Sequence, residues 1–262
     1  MPDIKTAWDK IASLYHKKYL IKTNTVHYGP LCPGENRLKL LGNICGLRVV
    51  DLGCGVGQNS VSLAKSQAVV TAVDFSSQQL AEAKKLALKE KVSIEFVNSD
   101  VTKLPVLENN IFDIAISVCT MAFVPDIEAA FSEAYRILKE SGNFFVSVMH
   151  PLQYILDGEE DTMYFNSTYP FKPRLLKWSW DFRERSIRFQ HYLRSVSEYH
   201  NCLTKAGFTV KKILEPKPTL NTPHISFSKE IMKDYPYIAG HLPITLIFDA
   251  FKPMYNNKDK HG

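Results

Sequence analysis

Residues 48–60, RVVDLGCGVGQNS, constrain this chain more than any other stretch. Arg48 to Leu52 reads as a buried strand, Asp51 stands near its end, and Gly53, Gly55 and Gly57 follow at every second position. Glycine tolerates positive φ and puts no side chain between a ligand and the backbone amides, so the pattern describes a strand-to-helix turn lying close to a ligand. A turn that merely reverses the chain would also use glycine, so the flanking sequence has to decide.

The dinucleotide fingerprint is G-x-G-x-x-G. Here the third glycine arrives one residue early and Gln58 stands where the fingerprint has glycine, which argues against a dinucleotide. A second apolar run, Val69 to Val73, ends at Asp74, where an acid can accept both hydroxyls of a ribose. The pair of features describes a nucleoside without a pyrophosphate.

Four segments in order, Val49 to Gly57, Asp74, Asn98-Ser99-Asp100-Val101 and Phe112 to Ser117, resemble the successive motifs of class I S-adenosylmethionine-dependent methyltransferases. The nearest subgroup is the one that includes ubiquinone and menaquinone biosynthesis enzymes. The resemblance implies an α/β fold: a doubly wound, mostly parallel seven-stranded sheet, with an N-terminal helical cap and a lid inserted after strand five. It implies S-adenosyl-L-methionine as cofactor. Gly53, Cys54, Gly55 and Gly57 would form the loop beneath it, Asp51 would meet its amino group, and Asp74, followed by Phe75, its ribose. Asp100 would accept from the adenine amino group while the Val101 amide serves a ring nitrogen, and Ser117 ends the strand beside them. Tyr15 and Tyr28 would close the pocket from the N-terminal segment.

Each of these residues also has a plainer explanation. Asp51 can pin its own turn, Asp100 next to Thr102 is an ordinary turn residue, and Cys54 is small enough to be there for packing. Ser76 and Gln79 have capping-box spacing, which fully accounts for Ser76.

With 262 residues, 45% of them hydrophobic and 23% charged, the chain can bury a sizeable core as one domain with an insertion. The N-terminus is charged from residue 3 and no run approaches the ~18 apolar residues of a membrane span, so a cytoplasmic protein is expected. Five widely spaced cysteines without a C-x-x-C pair support neither a structural zinc nor a disulfide frame. The net charge of +5 permits an anionic partner without requiring nucleic acid.

Residues 5–20 carry Trp8, Ile11, Ala12, Tyr15 and Tyr19 at helical spacing. Helices are expected from Gln58 to Ser66, from Ser76 to about Lys89, and from Asp126 to a close at Gly142. Strands are expected at 92–97, 112–117 and 144–149, with an antiparallel pair at 209–215 and 244–252. Residues 152–186 break this alternation and hold Tyr154, Tyr164, Phe165, Tyr169, Phe171, Trp178, Trp180 and Phe182, the composition of a lid over a ligand. The proline-rich stretch 215–243 has no evident role. The expected division is a cap at 1–44, a cofactor-binding core at 45–150, a substrate lid at 151–194, and a helix with a strand pair at 195–253.

The turn after strand four reads Ser117-Val118-Cys119-Thr120, without the Asn/Asp-Pro-Pro-Tyr/Phe of enzymes that methylate base amines. Phe123 stands where relatives often have a histidine, and Met121 with Phe123 is expected to wall an apolar substrate. Two histidines remain as candidate bases. His150 sits before Pro151 at the carboxyl edge of strand five, and His191 shares the apolar face of an alternating run with Ile187, Phe189 and Leu193. Each could equally be a satisfied structural histidine. The expected function is methyl transfer to a small aromatic or apolar acceptor. Two alternatives stand beside it: an RNA methyltransferase using the basic residues of 172–194, and a cofactor-binding protein without transferase activity.

Overall fold

A computed structural model describes residues 4–19, 21–159, 162–165, 167–182, 185–234 and 236–254. The side chains of Tyr164 and Phe182, together with Arg183, Glu184 and the tail from Asn256, lie outside the described residues. The chain runs α1 (Ile4–Lys18), α2 (Glu35–Leu38), β1 (Arg48–Leu52), α3 (Gln58–Lys65), β2 (Val69–Asp74), α4 (Ser77–Glu90), β3 (Glu95–Asn98), β4 (Phe112–Val118), α5 (Ile127–Ile137), β5 (Leu138–Met149), β6 (Leu156–Glu159), β7 (Thr162–Phe165), β8 (Arg174–Phe182), β9 (Arg185–Leu193), α6 (Val196–Lys205), β10 (Thr209–Leu214), α7 (Ile225–Asp234), α8 (Pro236–His241) and β11 (Thr245–Phe251).

Seven strands form one sheet in the order β10-β11-β5-β4-β1-β2-β3, parallel except at β11, which runs antiparallel to both β5 and β10. Two hairpins, β6–β7 and β8–β9, stand apart from it. Both sheet faces are covered, so β1, β2 and β4 are nearly continuous apolar runs rather than alternating ones. One core holds Val50, Leu52, Ala115, Phe131 and Phe144; the other holds Val49, Leu63, Ile114, Ile116 and Phe145. The chain leaves β1 toward β2 on one side and reaches β4 on the other. The crevice at the carboxyl ends of β1 and β4 is therefore the switch point where such sheets bind ligands.

Caps set the helix starts as their residue types dictate. Ser76 accepts the Gln79 amide at 3.1 Å, Asp126 the Ala129 amide at 2.9 Å, and Ser195 the Glu198 amide at 3.1 Å. The ends differ from expectation at two points. Helix α5 stops at Ile137, not at Gly142, and β5 begins directly at Leu138. The carbonyls of its last turn are taken by groups distant in sequence: Arg136 O and Ile137 O accept the amides of Asn110 and Ile111, and the buried Lys252 ammonium donates to Tyr135 O and Leu138 O. Strand β3 starts at Glu95 rather than Val92. Lys91 takes a left-handed cap at φ 56°, and the Val92 amide is spent closing α4 on Ala87 O.

The stretch 215–243 contains α7 and α8. Tyr19 donates to Glu230 at 2.8 Å and Lys18 lies 3.0 Å from the same carboxylate, so α7 is tied to α1. Among the described residues no helix is long and apolar enough to cross a membrane.

Candidate active site

The glycine loop sits at the switch point with all three glycines at positive φ: 77° at Gly53, 55° at Gly55 and 80° at Gly57. The Gly53 and Cys54 amides donate to Val73 O at 2.8 and 2.9 Å, fastening the loop to the end of β2. A Cβ on Gly53 would lie 2.2 Å from Thr120 Cγ2, and one on Gly57 would lie 2.9 Å from the Ala83 Cβ. Gly55 is different, since its Cβ would meet nothing nearer than Gln79 Oε1 at 3.7 Å. Two of the glycines let neighbouring elements approach, and the third keeps backbone open to the cleft. Cys54 packs against Ala72 and Leu80, and burial raises its thiol far above the usual range, with Asp74 adding to the shift.

Two acids flank the loop. Asp51, buried in β1, accepts the Ser60 hydroxyl at 2.6 Å from the first turn of α3. Desolvation lifts its carboxyl to about 7, despite the Ser60 bond. Asp74, at the end of β2, accepts the Gly55 amide through Oδ2 and the Ser76 amide through Oδ1, both at 2.9 Å. Desolvation lifts it to about 6. Above it, Asp9 of α1 accepts from the Ser76 hydroxyl at 2.5 Å, and Trp8 O accepts the Gln79 side-chain amide at 3.4 Å, so α1 lies across the start of α4. At the head of α3 the buried Gln58 Nε2 has no partner among the described residues. Its neighbour Asn59 exchanges two hydrogen bonds with the His27 backbone.

The rings of the N-terminal helix and the β8–β9 hairpin converge beside this loop. Trp8 meets Phe123 at 5.1 Å and Phe189 at 5.3 Å between ring centroids, and Tyr15 meets Trp180 at 5.5 Å. Trp178 stacks on Phe189 at 4.9 Å. Phe227 of α7 reaches Tyr19 at 5.1 Å, and the Tyr15 hydroxyl lies 3.5 Å from His224 Nε2. Phe123 belongs to a short 3₁₀ turn, Met121–Phe123, that follows Thr120, whose hydroxyl donates to Gly53 O at 3.0 Å. The buried Arg194 holds that turn against β9 by donating to Met121 O, Val124 O and Pro125 O. The result is a packed aromatic cluster that reaches the glycine loop through Phe123 and Thr120.

Residues 50–146 match a family model described as a methyltransferase domain. A solved S-adenosylmethionine-dependent methyltransferase from Mesorhizobium loti has the same fold, with a TM-score of 0.63 at 24% identity over 82% of this chain and 95% of that one. By that match the chain carries a methyltransferase domain, in the fold of an S-adenosylmethionine-dependent methyltransferase. Among sequence relatives, a Geobacillus protein (strain WCH70) named as a methyltransferase is 29% identical over 201 residues, covering 68% of this chain and 81% of that protein. A demethylmenaquinone methyltransferase of Lactococcus lactis is 28% identical over 182 residues, covering 65% and 69%.

The methyltransferase brings Asp51, Asp74, Gly53, Gly55 and Gly57 together at the crevice, with the half-buried Phe75 directly after Asp74. Asp100 is exposed in the turn after β3, and its Oδ1 accepts the amide and hydroxyl of Thr102. The Val101 side chain is in the core. Ser117 is buried and donates to Leu52 O at 3.0 Å, so its hydroxyl is committed to the end of β1. Tyr15 belongs to the aromatic cluster, whereas Tyr28 does not reach it. The Tyr28 ring is fully buried among Val49, Ile114 and Phe145, and its hydroxyl donates to Glu35 at 2.6 Å. Met121 likewise lies in the core, leaving Phe123 alone of the two in the aromatic cluster.

Neither histidine has the arrangement of a general base in this methyltransferase. His150 caps the 3₁₀ turn Pro151–Tyr154 by accepting the Leu152 amide on Nδ1, and its Nε2 lies 2.8 Å from Glu215 Oε1. Both ring nitrogens are in use. His191 accepts the Trp178 indole N–H on Nδ1 at 2.9 Å, and desolvation lowers its pKa to about 4, which leaves it a poor base. The pattern of the sequence did not point to Arg194, Thr120 or His224. Arg194 looked like one more basic residue, and the other two acquire their partners only through the fold.

The residues at the crevice suit S-adenosylmethionine. Gly55 leaves a cradle that a side chain would fill, the first amides of α3 follow the loop, and the unpartnered Gln58 amide is an additional buried donor.

Proposed function

We propose that the enzyme methylates a small aromatic or otherwise apolar molecule held against the aromatic cluster between the glycine loop, α1 and the β8–β9 hairpin. The observation that carries this is the ring cluster itself: Trp8, Tyr15, Phe123, Trp178, Trp180 and Phe189 contact one another edge-on or stacked beside the floor of the crevice. Rings in such contacts favour a planar apolar guest, which gains burial and edge-to-face contacts alike. The relative named for demethylmenaquinone supports an acceptor of this type.

For the cofactor we propose Asp74 at the ribose hydroxyls, with Phe75 beside it. Asp51 and the α3 amides would take the amino-acid end, and Asp100 Oδ2 with the Val101 amide the adenine. Residues 45–150 then act as the cofactor core, 1–44 and 151–194 as cap and lid, and 195–253 as the closing helix and strand pair. When bound, the cofactor supplies an activated methyl group, so the chain has to orient the acceptor and exclude water. Tyr15, Trp8 and the hairpin do the excluding. His150 takes no proton in this scheme, because both its ring nitrogens are engaged.

Incubation with methyl-labelled S-adenosylmethionine, a panel of hydroxynaphthalenes and, separately, transcribed RNA tests the proposal. Label in a naphthalene product is expected. Label in RNA and in no small molecule overturns it.

A further inference from the structure

The β8–β9 hairpin makes one buried histidine into a fixed hydrogen-bond donor. An indole N–H can only donate, and that of Trp178 donates to His191 Nδ1 at 2.9 Å. A neutral imidazole has a single N–H, so the proton of His191 is on Nε2. The ring is 7% exposed and stays neutral at physiological pH, because burial lowers its pKa to about 4. Its Nε2–H is buried and has no partner among the described residues. Buried donors are rarely left unpaired, so one inside an aromatic wall points to a group that arrives from outside the chain.

The surroundings of His191 indicate where that group would sit. Tyr154 lies 5.0 Å from the imidazole and Phe123 lies 6.1 Å from it, between ring centroids, with Trp178 on the third side. Phe123 leads back through Thr120 to the Gly53 carbonyl. Tyr154 lies close enough to Cys119, at the carboxyl end of β4, for that thiol to add to the upward shift of its hydroxyl. The donor thus lies on the buried face of the hairpin, among the rings of the aromatic cluster, and not on its outer face. Nearby charge is also spent: Arg194 is committed to three backbone carbonyls.

We infer that His191 is a specificity residue that presents Nε2–H to an oxygen lone pair on a planar aromatic acceptor, a ring carbonyl or ring oxyanion, bound at the aromatic cluster; this rests on the small-molecule function proposed above. The Trp178 indole acts through it, as the group that fixes the tautomer.

Two probes of matched shape separate the oxygen from the ring: 2-acetylnaphthalene carries an acceptor oxygen and 2-isopropylnaphthalene does not. With S-adenosylhomocysteine saturating, calorimetry should find the ketone bound about fivefold or more tighter, the order of one neutral hydrogen bond. His191→Phe should erase that ratio and His191→Gln, which retains an N–H donor, should keep part of it. On wild-type protein, two-bond proton–nitrogen correlation of the imidazole should find the proton on Nε2, and only the ketone should shift that resonance. Equal binding of the two probes to wild type, a ratio that survives in His191→Phe, or a proton on Nδ1 would overturn the inference while leaving the small-molecule proposal standing. A wild-type protein that holds the cofactor product and binds neither naphthalene overturns both.

Discussion

The amide of Gly55 donates to the Asp74 carboxylate at 2.9 Å, so the acid that ends β2 fixes the loop that ends β1. The proposed cofactor site and the loop conformation are thereby one structural unit: the group proposed for the ribose also holds the backbone proposed to carry the cofactor. Its other oxygen accepts the Ser76 amide, which joins the start of α4 to the same unit.

The glycines of that loop should not be equivalent. Gly53→Ala puts a methyl 2.2 Å from Thr120 in a left-handed backbone, so it combines overlap with strain and should destabilise by about 2–4 kcal/mol. Gly55→Ala has room for its methyl and should lose only about 1–2 kcal/mol from its φ of 55°. Its larger effect should be on cofactor affinity. Urea unfolding beside calorimetric titration distinguishes the two, and equal stability losses would contradict this account of the loop.

The two acids predict a pH dependence of cofactor binding. Asp51 in the free enzyme titrates at about 7, and only its ionised form attracts the cationic amino group. Affinity should therefore be full above pH 7 and fall by up to about tenfold per unit as the pH drops below it. Stability of the free protein moves the other way. A raised acid binds more protons folded than unfolded, so the Asp51 contribution to stability declines as the pH rises from about 4 to 7. Asp51→Asn should remove the part of both curves that titrates near pH 7 and leave the Asp74 part near pH 6, as followed by titration calorimetry and thermal unfolding across pH 5–8. A variant whose binding retains the wild-type pH profile would remove Asp51 from the cofactor site.

His150 is predicted to be a clamp. Its ring joins the Leu152 amide to Glu215, holding the segment after β5 to the end of β10. His150→Ala should lower stability by about 1–3 kcal/mol, the cost of two broken hydrogen bonds at a buried site, with cofactor affinity unchanged. Thermal unfolding and titration of the same preparation check this. Unchanged stability with lost methyl transfer would restore the catalytic role.

The central sheet and its loop were legible because their signals are local. Apolar runs on a strand covered on both faces, glycines at positive φ, and Ser or Asp with its capping partner three residues on all act within a few residues. What could not be seen from the sequence depends on contacts between distant segments. The end of α5 is set by Asn110, Ile111 and Lys252, not by the nearby Gly142. Tyr28 stands beside the Gly29-Pro30 break, a setting that suits a pocket or a core equally, and Glu35 decides for the core. The pattern of β9 correctly put His191 on the apolar face, but its tautomer depends on Trp178, thirteen residues away across a hairpin. The stretch 215–243 resisted reading because α7 is held by α1, through Tyr19, Lys18 and Glu230, more than 200 positions away.

The most direct measurement is calorimetric titration of the wild-type protein and Asp74→Ala with S-adenosylmethionine and S-adenosylhomocysteine. Wild type should bind both ligands at micromolar concentrations. The variant, deprived of the proposed ribose acceptor and of the Gly55 bond together, should bind at least about tenfold more weakly, the order of one charge-assisted hydrogen bond. Wild-type protein that binds neither ligand, or a variant that binds both as well as wild type, would contradict the assignment of the glycine loop and Asp74 as the cofactor site.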